Sequence, residues 1–135
     1  MPLLLDTGAI YALADADDSW HQPMREFLME QHEILLTPCT VLPEAAYLIR
    51  SRLGSYAERQ FAESLAAGEV VAEHLTHSDL DRSVQLVTQY DFLGLVDASL
   101  VAVAERLKLG ALVTTDRRDF RRVRPKHVPA FDLLP

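Results

Sequence analysis

Apolar residues occur along the chain either in short runs or at helical spacing. Short apolar runs indicate strands, and apolar positions three and four residues apart indicate amphipathic helices. The runs predict strands at Leu3–Leu5, Ile34–Leu36, Val70–Ala72 and Ala111–Thr114, with a last extended piece at Ala130–Leu134. The helical spacing predicts helices after Asp6, from near Asp18 or Ser19, and over Thr40–Leu53, Ser55–Ala67, Asp79–Tyr90 and Val96–Leu107.

Polar residues and glycines mark the ends of these helices. Thr40 and Ser55 are placed to cap helix starts, and Gly54 and Gly68 are placed to end helices. Strands that alternate with helices indicate parallel pairing, because parallel neighbours need helical crossovers. The predicted fold class is therefore α/β, with a mostly parallel central sheet of four to five short strands flanked by helices.

Length and composition indicate one compact domain. A chain of 135 residues with 49% hydrophobic content supports a single core, so we expect one domain over residues 1–135. The start, MPLLLDTG, lacks the basic flank of a signal peptide, and no apolar run approaches the roughly 20 residues of a membrane span. The single cysteine, Cys39, fits a reducing compartment. We therefore expect a cytoplasmic protein with no membrane association.

The charge of the chain is acidic overall but unevenly distributed. A net charge of −7 argues against nucleic-acid binding through broad positive charge alone. Six of the 13 cations lie close together near the C-terminus: Arg117, Arg118, Arg121, Arg122, Arg124 and Lys126. Such a run of cations is either a solvated face or a contact for phosphates.

Four carboxylates stand at corresponding ends of the predicted elements. Asp6 and Asp116 follow strands directly, while Glu44 and Asp97 lie in the first turns of helices. Taken singly, each has a structural explanation as a helix cap or as a charge that favours the helix dipole. Taken together, all four fall at the same edge of a parallel sheet, where ligands bind in α/β folds. Without a cation between them, these side chains would repel one another.

A divalent cation is the natural compensation for such a set. Mg²⁺ and Mn²⁺ prefer oxygen ligands, and two such ions can promote in-line displacement at phosphorus. Asp119 could add a fifth carboxylate from the turn that follows Asp116, although a role as a cap or surface charge fits equally well. The five histidines are dispersed and no G-x-S-x-G motif is present, so neither a zinc site nor serine chemistry is indicated.

Four segments in order, LLLDTGAIYAL, PEAAYLI, GLVDASLVAVAERL and LVTTDRRDF, resemble the PIN-domain family. The resemblance is strongest to the VapC-type toxins of toxin–antitoxin pairs and extends from Leu3 to the terminal FDLLP. It implies a PIN-like fold and an endoribonuclease that depends on Mg²⁺ or Mn²⁺. The acidic site of the family falls on Asp6, Glu44, Asp97 and Asp116, with Asp119 at a more variable auxiliary position.

The same resemblance implies further residues and partners. Thr7 and Thr115 match supporting polar positions beside the metal or phosphate, whereas His21 matches a polar position of uncertain role. Relatives of this type pair as homodimers and are silenced by an antitoxin that covers the acidic cleft. The resemblance therefore implies an RNA substrate, a cognate antitoxin and a homodimer. The basic stretch from Arg117 to Lys126 is then a candidate contact for RNA phosphates.

Other functions are less compatible with the sequence. The motif LLDTGA also matches aspartic proteases, but those enzymes are all-β, whereas this sequence predicts several helices. A related nuclease that cuts DNA is disfavoured by the short length of the chain. The main alternative is a non-catalytic PIN-like module that binds a protein and uses its acidic residues only as caps.

Overall fold

The computed structural model describes all 135 residues. Five short strands form one sheet: β1 (Leu3–Leu5), β2 (Leu35–Pro38), β3 (Val71–Glu73), β4 (Ala111–Val113) and β5 (Asp132–Leu134). Their order is β3-β2-β1-β4-β5, and every neighbouring pair is parallel. Seven helices flank the sheet: α1 (Thr7–Ala14), α2 (His21–Met29), α3 (Val41–Leu53), α4 (Ser55–Ala66), α5 (His77–Gln89), α6 (Leu95–Leu107) and α7 (Arg117–Arg122). The predicted α/β class with a parallel sheet is confirmed.

The core is built around β1 and α6. All three leucines of β1 are buried, and successive side chains of a strand point to opposite faces, so both faces of the sheet are covered there. Helix α6 is buried continuously over residues 98–105, which explains why its sequence is apolar on almost every side. Asp6 follows β1 directly and Asp97 lies in the first turn of α6, so these two buried elements fix the positions of both residues.

The topology brings the ends of β1 and β4 together. These two strands are neighbours in the sheet although they are far apart in sequence. The N–H of Asp6 donates to the carbonyl of Val113 at 3.1 Å, which joins the two strands at their carboxyl ends. The chain leaves β1 for β2 on one side, while β4 lies on the other, so the crevice here is a topological switch point.

Strand bounds and most helix bounds agree with prediction to within two residues, but α2 starts later than predicted. It begins at His21 rather than near Asp18 or Ser19. Asp18 instead closes a turn, because its carboxylate accepts the N–H of Trp20 at 2.8 Å and its carbonyl accepts the N–H of His21 at 3.0 Å. The side chain of Asp18 therefore stabilises the turn before the helix and not the helix itself.

Of the two predicted helix caps, Ser55 was wrong, whereas Thr40 was confirmed in position but makes no cap hydrogen bond. Ser55 is the first residue of α4, not its cap, because Gly54 at φ 96° both ends α3 and precedes α4. Thr40 does stand at the start of α3, but its hydroxyl makes no cap bond and instead lies 2.6 Å from the hydroxyl of Ser99. That contact fastens the start of α3 to α6.

No helix combines the length and the apolar character that crossing a bilayer requires.

Candidate active site

The side chain of Asp6, directly after β1, is buried and held by two hydrogen bonds. One carboxylate oxygen accepts the N–H of Ala9 at 2.8 Å, so Asp6 caps α1. The other oxygen accepts the hydroxyl of Thr114. These bonds fix the carboxylate at the junction of β1 and α1, so its capping role and its place in an acidic site are compatible.

Thr114 joins two of the predicted site residues. It is fully buried after β4, and its hydroxyl donates to Asp6 while accepting the N–H of Asp116 at 2.8 Å. The loop after β4 is thereby aligned with the loop after β1. The sequence prediction named the adjacent Thr115 and omitted Thr114. The available signal was a polar residue ending an apolar strand two positions before Asp116.

Asp116 and Asp119 occupy the start of α7, a helix that the sequence did not predict. Asp116 caps this helix and accepts the N–H of Asp119 at 3.3 Å. Asp119 is half-buried in the first turn. Asp116 lines the same crevice as Asp6, and Asp119 follows it within the first turn of the helix.

Glu44 and Asp97 are carried by the first turns of α3 and α6. The contact between the hydroxyls of Thr40 and Ser99 holds these helix starts side by side. Glu44 is exposed at the mouth of the crevice, whereas Asp97 is half-buried. Two helix starts and two strand ends thus supply the four predicted carboxylates.

The four carboxylates line one pocket of about 350 Å³. Asp18 adds a fifth carboxylate that was not predicted as a site residue, and Arg52 is the one cation in the lining. The complete lining is Asp6, Thr7, Gly8, Tyr11, Asp18, Glu44, Leu48, Arg52, Asp97, Thr115 and Asp116. Asp119 does not contribute to it.

Both predicted auxiliary threonines lie in this pocket. The hydroxyl of Thr7 is buried and has no hydrogen-bond partner within the protein. Thr115 packs so closely on Gly8 that a Cβ at position 8 would overlap its hydroxyl. Gly8 therefore permits the close approach of the β4 loop to α1, and Thr7 offers an unused polar group to whatever occupies the pocket.

The pocket disfavours the charged form of two of its carboxylates, Asp6 and Asp97. Burial, opposed by the hydrogen bonds from Thr114 and Ala9, raises the pKa of Asp6 from 3.8 to about 6. Burial, followed by the charges of Asp6, Asp116, Glu44 and Asp119, raises the pKa of Asp97 from 3.8 to about 7. Both shifts arise first from burial and then from neighbouring carboxylates, and the cation that lines the pocket, Arg52, is not among their causes.

The donor chemistry fits a hard divalent cation. All four predicted ligands are carboxylates, the oxygen donors that Mg²⁺ and Mn²⁺ prefer. As they stand, no three acidic, histidine or cysteine side chains converge on a single point that could hold a metal ion. Mg²⁺ does not require such convergence, since it commonly binds through one or two carboxylates and keeps several waters. The site therefore suits a hydrated ion better than a fully protein-coordinated one.

The predicted RNA-contacting cations lie outside the pocket lining. Arg117 is placed over the ring of Trp20 at 5.2 Å and donates to the carbonyl of Pro135. Arg122 lies 3.8 Å from the ring centre of Phe92. Arg118, Arg121, Arg122, Arg124 and Lys126 are exposed. The basic stretch thus forms a surface next to the loop that carries Asp116, not part of the crevice itself.

His21 has a structural contact. Its Nδ1 lies 2.7 Å from the carbonyl of Ala12, in the last turn of α1. A carbonyl there has no partner within its own helix, so His21 satisfies a group that would otherwise need water.

A larger pocket of about 630 Å³ lies elsewhere and contains none of the predicted site residues. Nine of its 13 lining residues are hydrophobic, among them Ile10, Leu28 and Phe61. It therefore lacks the convergent acidic groups that a metal-dependent reaction needs.

Similar proteins are known in sequence and in structure. Ribonuclease VapC26 of Mycobacterium tuberculosis is 28% identical over 135 residues, covering 98% of this chain and all of that protein. The crystal structure of M. tuberculosis VapC20, a sarcin-ricin loop cleaving toxin, matches with a TM-score of 0.79 at 22% identity, covering 86% of this chain and 91% of that chain. A toxin–antitoxin complex from Klebsiella pneumoniae matches with a TM-score of 0.72 at 19% identity, covering 96% and 99%.

The structural likenesses support the α/β fold with its parallel sheet. The PIN domain model matches residues 3–126, which include every carboxylate of the acidic pocket and all but the last strand of the sheet. This protein belongs to the PIN domain family.

Proposed function

We propose that this protein is a divalent-metal-dependent endoribonuclease and the toxin of a toxin–antitoxin pair. The observation that carries the proposal is the single pocket that Asp6, Glu44, Asp97 and Asp116 line at the carboxyl edge of the sheet. Membership of the PIN family and the likeness to a protein named ribonuclease VapC26 support RNA as the substrate.

The cofactor in this proposal is Mg²⁺ or Mn²⁺. Asp6, Glu44, Asp97 and Asp116 would hold it, with Asp119 in an auxiliary position behind Asp116. When bound, such a cation would supply a Lewis acid for a phosphate oxygen and would lower the pKa of a bound water below that of free water. It would also stabilise the charged form of Asp6 and Asp97, which burial and mutual repulsion disfavour.

The residues of the chain contribute positioning. Asp6 is held rigidly by Ala9 and Thr114, so its carboxylate needs no reorganisation to act as a ligand. The free hydroxyl of Thr7 can donate to an oxygen of the substrate phosphate. Thr115, pressed against Gly8, borders the same space and can orient a water or a phosphate oxygen.

The remaining parts of the proposal concern partners and setting. The chain would act as one domain, residues 1–135, in the cytoplasm and as a homodimer. A cognate antitoxin would inhibit it by placing an arginine among the carboxylates, where charge-assisted hydrogen bonds replace the metal. The complex from K. pneumoniae supports an antitoxin partner for this fold. The basic surface formed by Arg117, Arg118, Arg121, Arg122, Arg124 and Lys126 would contact RNA phosphates next to the crevice.

The test is cleavage of total cellular RNA by purified protein with Mg²⁺ or Mn²⁺, repeated with EDTA. Asp6→Asn and Asp97→Asn are compared with Asp81→Asn, whose carboxylate is exposed on α5 outside the pocket. The asparagine at position 6 retains an oxygen that can cap α1. We expect discrete cleavage that needs metal, is lost in the two pocket variants and is unchanged in Asp81→Asn.

Two results would contradict this proposal. Cleavage that persists in EDTA or in Asp97→Asn would exclude the acidic pocket as the reaction centre. A folded wild-type protein that neither cuts RNA nor binds Mn²⁺ would favour the non-catalytic interaction module.

A further inference from the structure

Arg52 is the single cation that lines the acidic pocket, together with five carboxylates. It is exposed in the last turn of α3. Its guanidinium makes no salt bridge with any of those carboxylates or with any other acidic group. The guanidinium lies near the hydroxyl of Tyr11 and the carboxylate of Asp15 but forms no salt bridge with that carboxylate, so an anionic ligand can still engage its exposed N–H groups.

The aromatic ring of Tyr11 holds this guanidinium in place. The Cζ of Arg52 lies 5.1 Å from the ring centre of Tyr11. The ring is buried, and its hydroxyl donates to Asp15 at 2.6 Å. A guanidinium packed on a fixed aromatic face loses less freedom on binding than a mobile side chain does, and its outward N–H groups can still reach a ligand.

Arg52 belongs to a stripe of α3 that runs away from the metal-binding carboxylates. Glu44, Leu48 and Arg52 follow one another at four-residue steps, and all three line the pocket. Eight residues of helix correspond to a rise of about 12 Å. The stripe therefore places a carboxylate at one end of the crevice and a cation at the other, with an apolar surface between them.

We propose that Arg52 binds a backbone phosphate of the RNA that flanks the phosphodiester held at the carboxylates. The inference rests on the proposed ribonuclease function and assigns the path of the RNA. The RNA enters or leaves the crevice along α3, over Leu48. The flanking phosphates need such a cation, because the five carboxylates repel every phosphate that is not at the metal. A guanidinium offers paired N–H groups that match phosphate oxygens.

The helix dipole also favours a cation at the end of α3, and this alone would explain an arginine without a ligand. Arg50, in the same turn, shows that purely structural use, since it pairs with Glu58 at 2.9 Å. Arg52 differs because it lines the pocket and forms no salt bridge.

The experiment measures binding of a short fluorescent single-stranded RNA of mixed sequence by anisotropy, with Ca²⁺ replacing Mg²⁺ and RNA integrity checked on a gel. Arg52→Ala and Arg52→Lys are compared with Arg59→Ala. Arg59 is a matched control, because its guanidinium lies 5.0 Å from the ring centre of Tyr56, makes no salt bridge and stands outside the acidic pocket.

We expect Arg52→Ala to weaken RNA binding about tenfold and to reduce the slope of log affinity against log salt by about 0.7, the contribution of one phosphate contact on a single strand. Arg52→Lys should keep the salt slope but bind more weakly than wild type, because the ammonium cannot form paired bonds. Arg59→Ala should match wild type, and Mn²⁺ affinity should not fall in any of the variants, since removing a positive charge from the pocket does not oppose cation binding.

Equal RNA affinity and equal salt slope in Arg52→Ala and Arg59→Ala, with wild type binding and cutting RNA, would overturn the assignment of Arg52 alone. Loss of thermal stability in Arg52→Ala without any change in affinity would do the same, since it would show a structural role. A wild-type protein that neither binds nor cuts RNA would remove the ribonuclease proposal and this inference with it.

Discussion

A single buried hydroxyl, that of Thr114, connects the carboxylate of Asp6 to the backbone of Asp116. Because this hydrogen bond lowers the pKa of Asp6 against the effect of burial, it helps to keep that carboxylate charged. Thr114 does not line the pocket, so its effect on a ligand must pass through the two aspartates. Mutation of groups that orient metal ligands in this way typically lowers metal affinity or activity.

Thr114→Val removes this hydroxyl while keeping the shape of the side chain. We expect Mn²⁺ affinity and RNA cleavage to fall about 10- to 100-fold, the range found for groups behind metal ligands. The free energy of unfolding should fall by about 1–3 kcal/mol, since the N–H of Asp116 loses its acceptor. Thr114→Ser, which keeps the hydroxyl, is the control. Equal Mn²⁺ titrations for Thr114→Val and wild type would refute the positioning role.

The raised pKa values of Asp6 and Asp97 predict an unusual pH dependence in the metal-free protein. A carboxyl group whose pKa is higher in the folded state binds protons more tightly when folded, so it stabilises the fold at low pH. That contribution is complete below the ordinary value of 3.8 and is lost as the pH rises through about 6 for Asp6 and about 7 for Asp97.

Asp97→Asn removes one of these charges and should stabilise the metal-free protein near pH 7.5. We expect a gain on the order of 2 kcal/mol, since solvent screening reduces the full value of the shift. The gain should vanish near pH 4, where Asp97 is largely protonated in the folded protein. Thermal unfolding in EDTA at both pH values measures it, with Asp81→Asn as control. An Asp97→Asn protein less stable than wild type at pH 7.5 would contradict the burial of unbalanced charge.

Individual site residues differed in how far the sequence could predict them. Asp6 and Asp116 were predictable because the end of an apolar strand is a recognisable position in an α/β pattern. Thr114 was not predicted, because a polar residue at a strand end looks the same whether its hydroxyl faces water or a buried carboxylate. Arg52 was not predicted because its place beside Tyr11 depends on how α3 packs against α1, and spacing along the chain does not give that.

At the scale of elements, helices with a long apolar pattern were predicted most reliably. Helix α6 was predicted to within one residue, since its core sequence is apolar over several turns. Helix α7 was not predicted, because RRDFRR contains one apolar side chain, Phe120, and six residues are too few for a periodic pattern. Helix α5 begins at His77, ahead of the predicted Asp79, because Thr76 and Asp79 form a capping box.

The contact between α5 and α6 depends on a buried charge. Asp79 is 2% exposed, and both of its carboxylate oxygens lie 3.0 Å from Nε of Arg106. Arg106 also reaches Glu73 at 3.1 Å, so a single guanidinium links β3, α5 and α6. Removal of one partner from such a pair is costly, because the other charge stays buried.

Arg106→Ala should therefore lower the free energy of unfolding by about 2–3 kcal/mol, as measured by urea denaturation. Arg59→Ala, which removes an exposed guanidinium without a salt bridge, should change it by less than about 0.5 kcal/mol. Similar urea midpoints and slopes for the two variants would show that this ion pair does not stabilise the helix pair.

At the scale of the whole molecule, the acidic site is a product of sheet topology. The parallel order that places β1 between β2 and β4 brings together residues that are more than 100 positions apart, as the contact between Asp6 and Thr114 shows. The alternation of strands and helices was enough to predict this convergence. The proposed path of RNA past Arg52, on a molecule with a net charge of −7, was not predictable from the sequence, because it depends on which cations lack a salt bridge after folding.

The central claim is that the acidic pocket holds a divalent cation, and an isothermal Mn²⁺ titration of the metal-free protein at pH 7.5 tests it most directly. Wild type should bind Mn²⁺, Asp97→Asn and Glu44→Gln should bind at least about tenfold more weakly, and Asp81→Asn should match wild type. No Mn²⁺ binding by the folded wild-type protein, or equal binding by wild type and Asp97→Asn, would contradict the metal site and the ribonuclease function proposed from it.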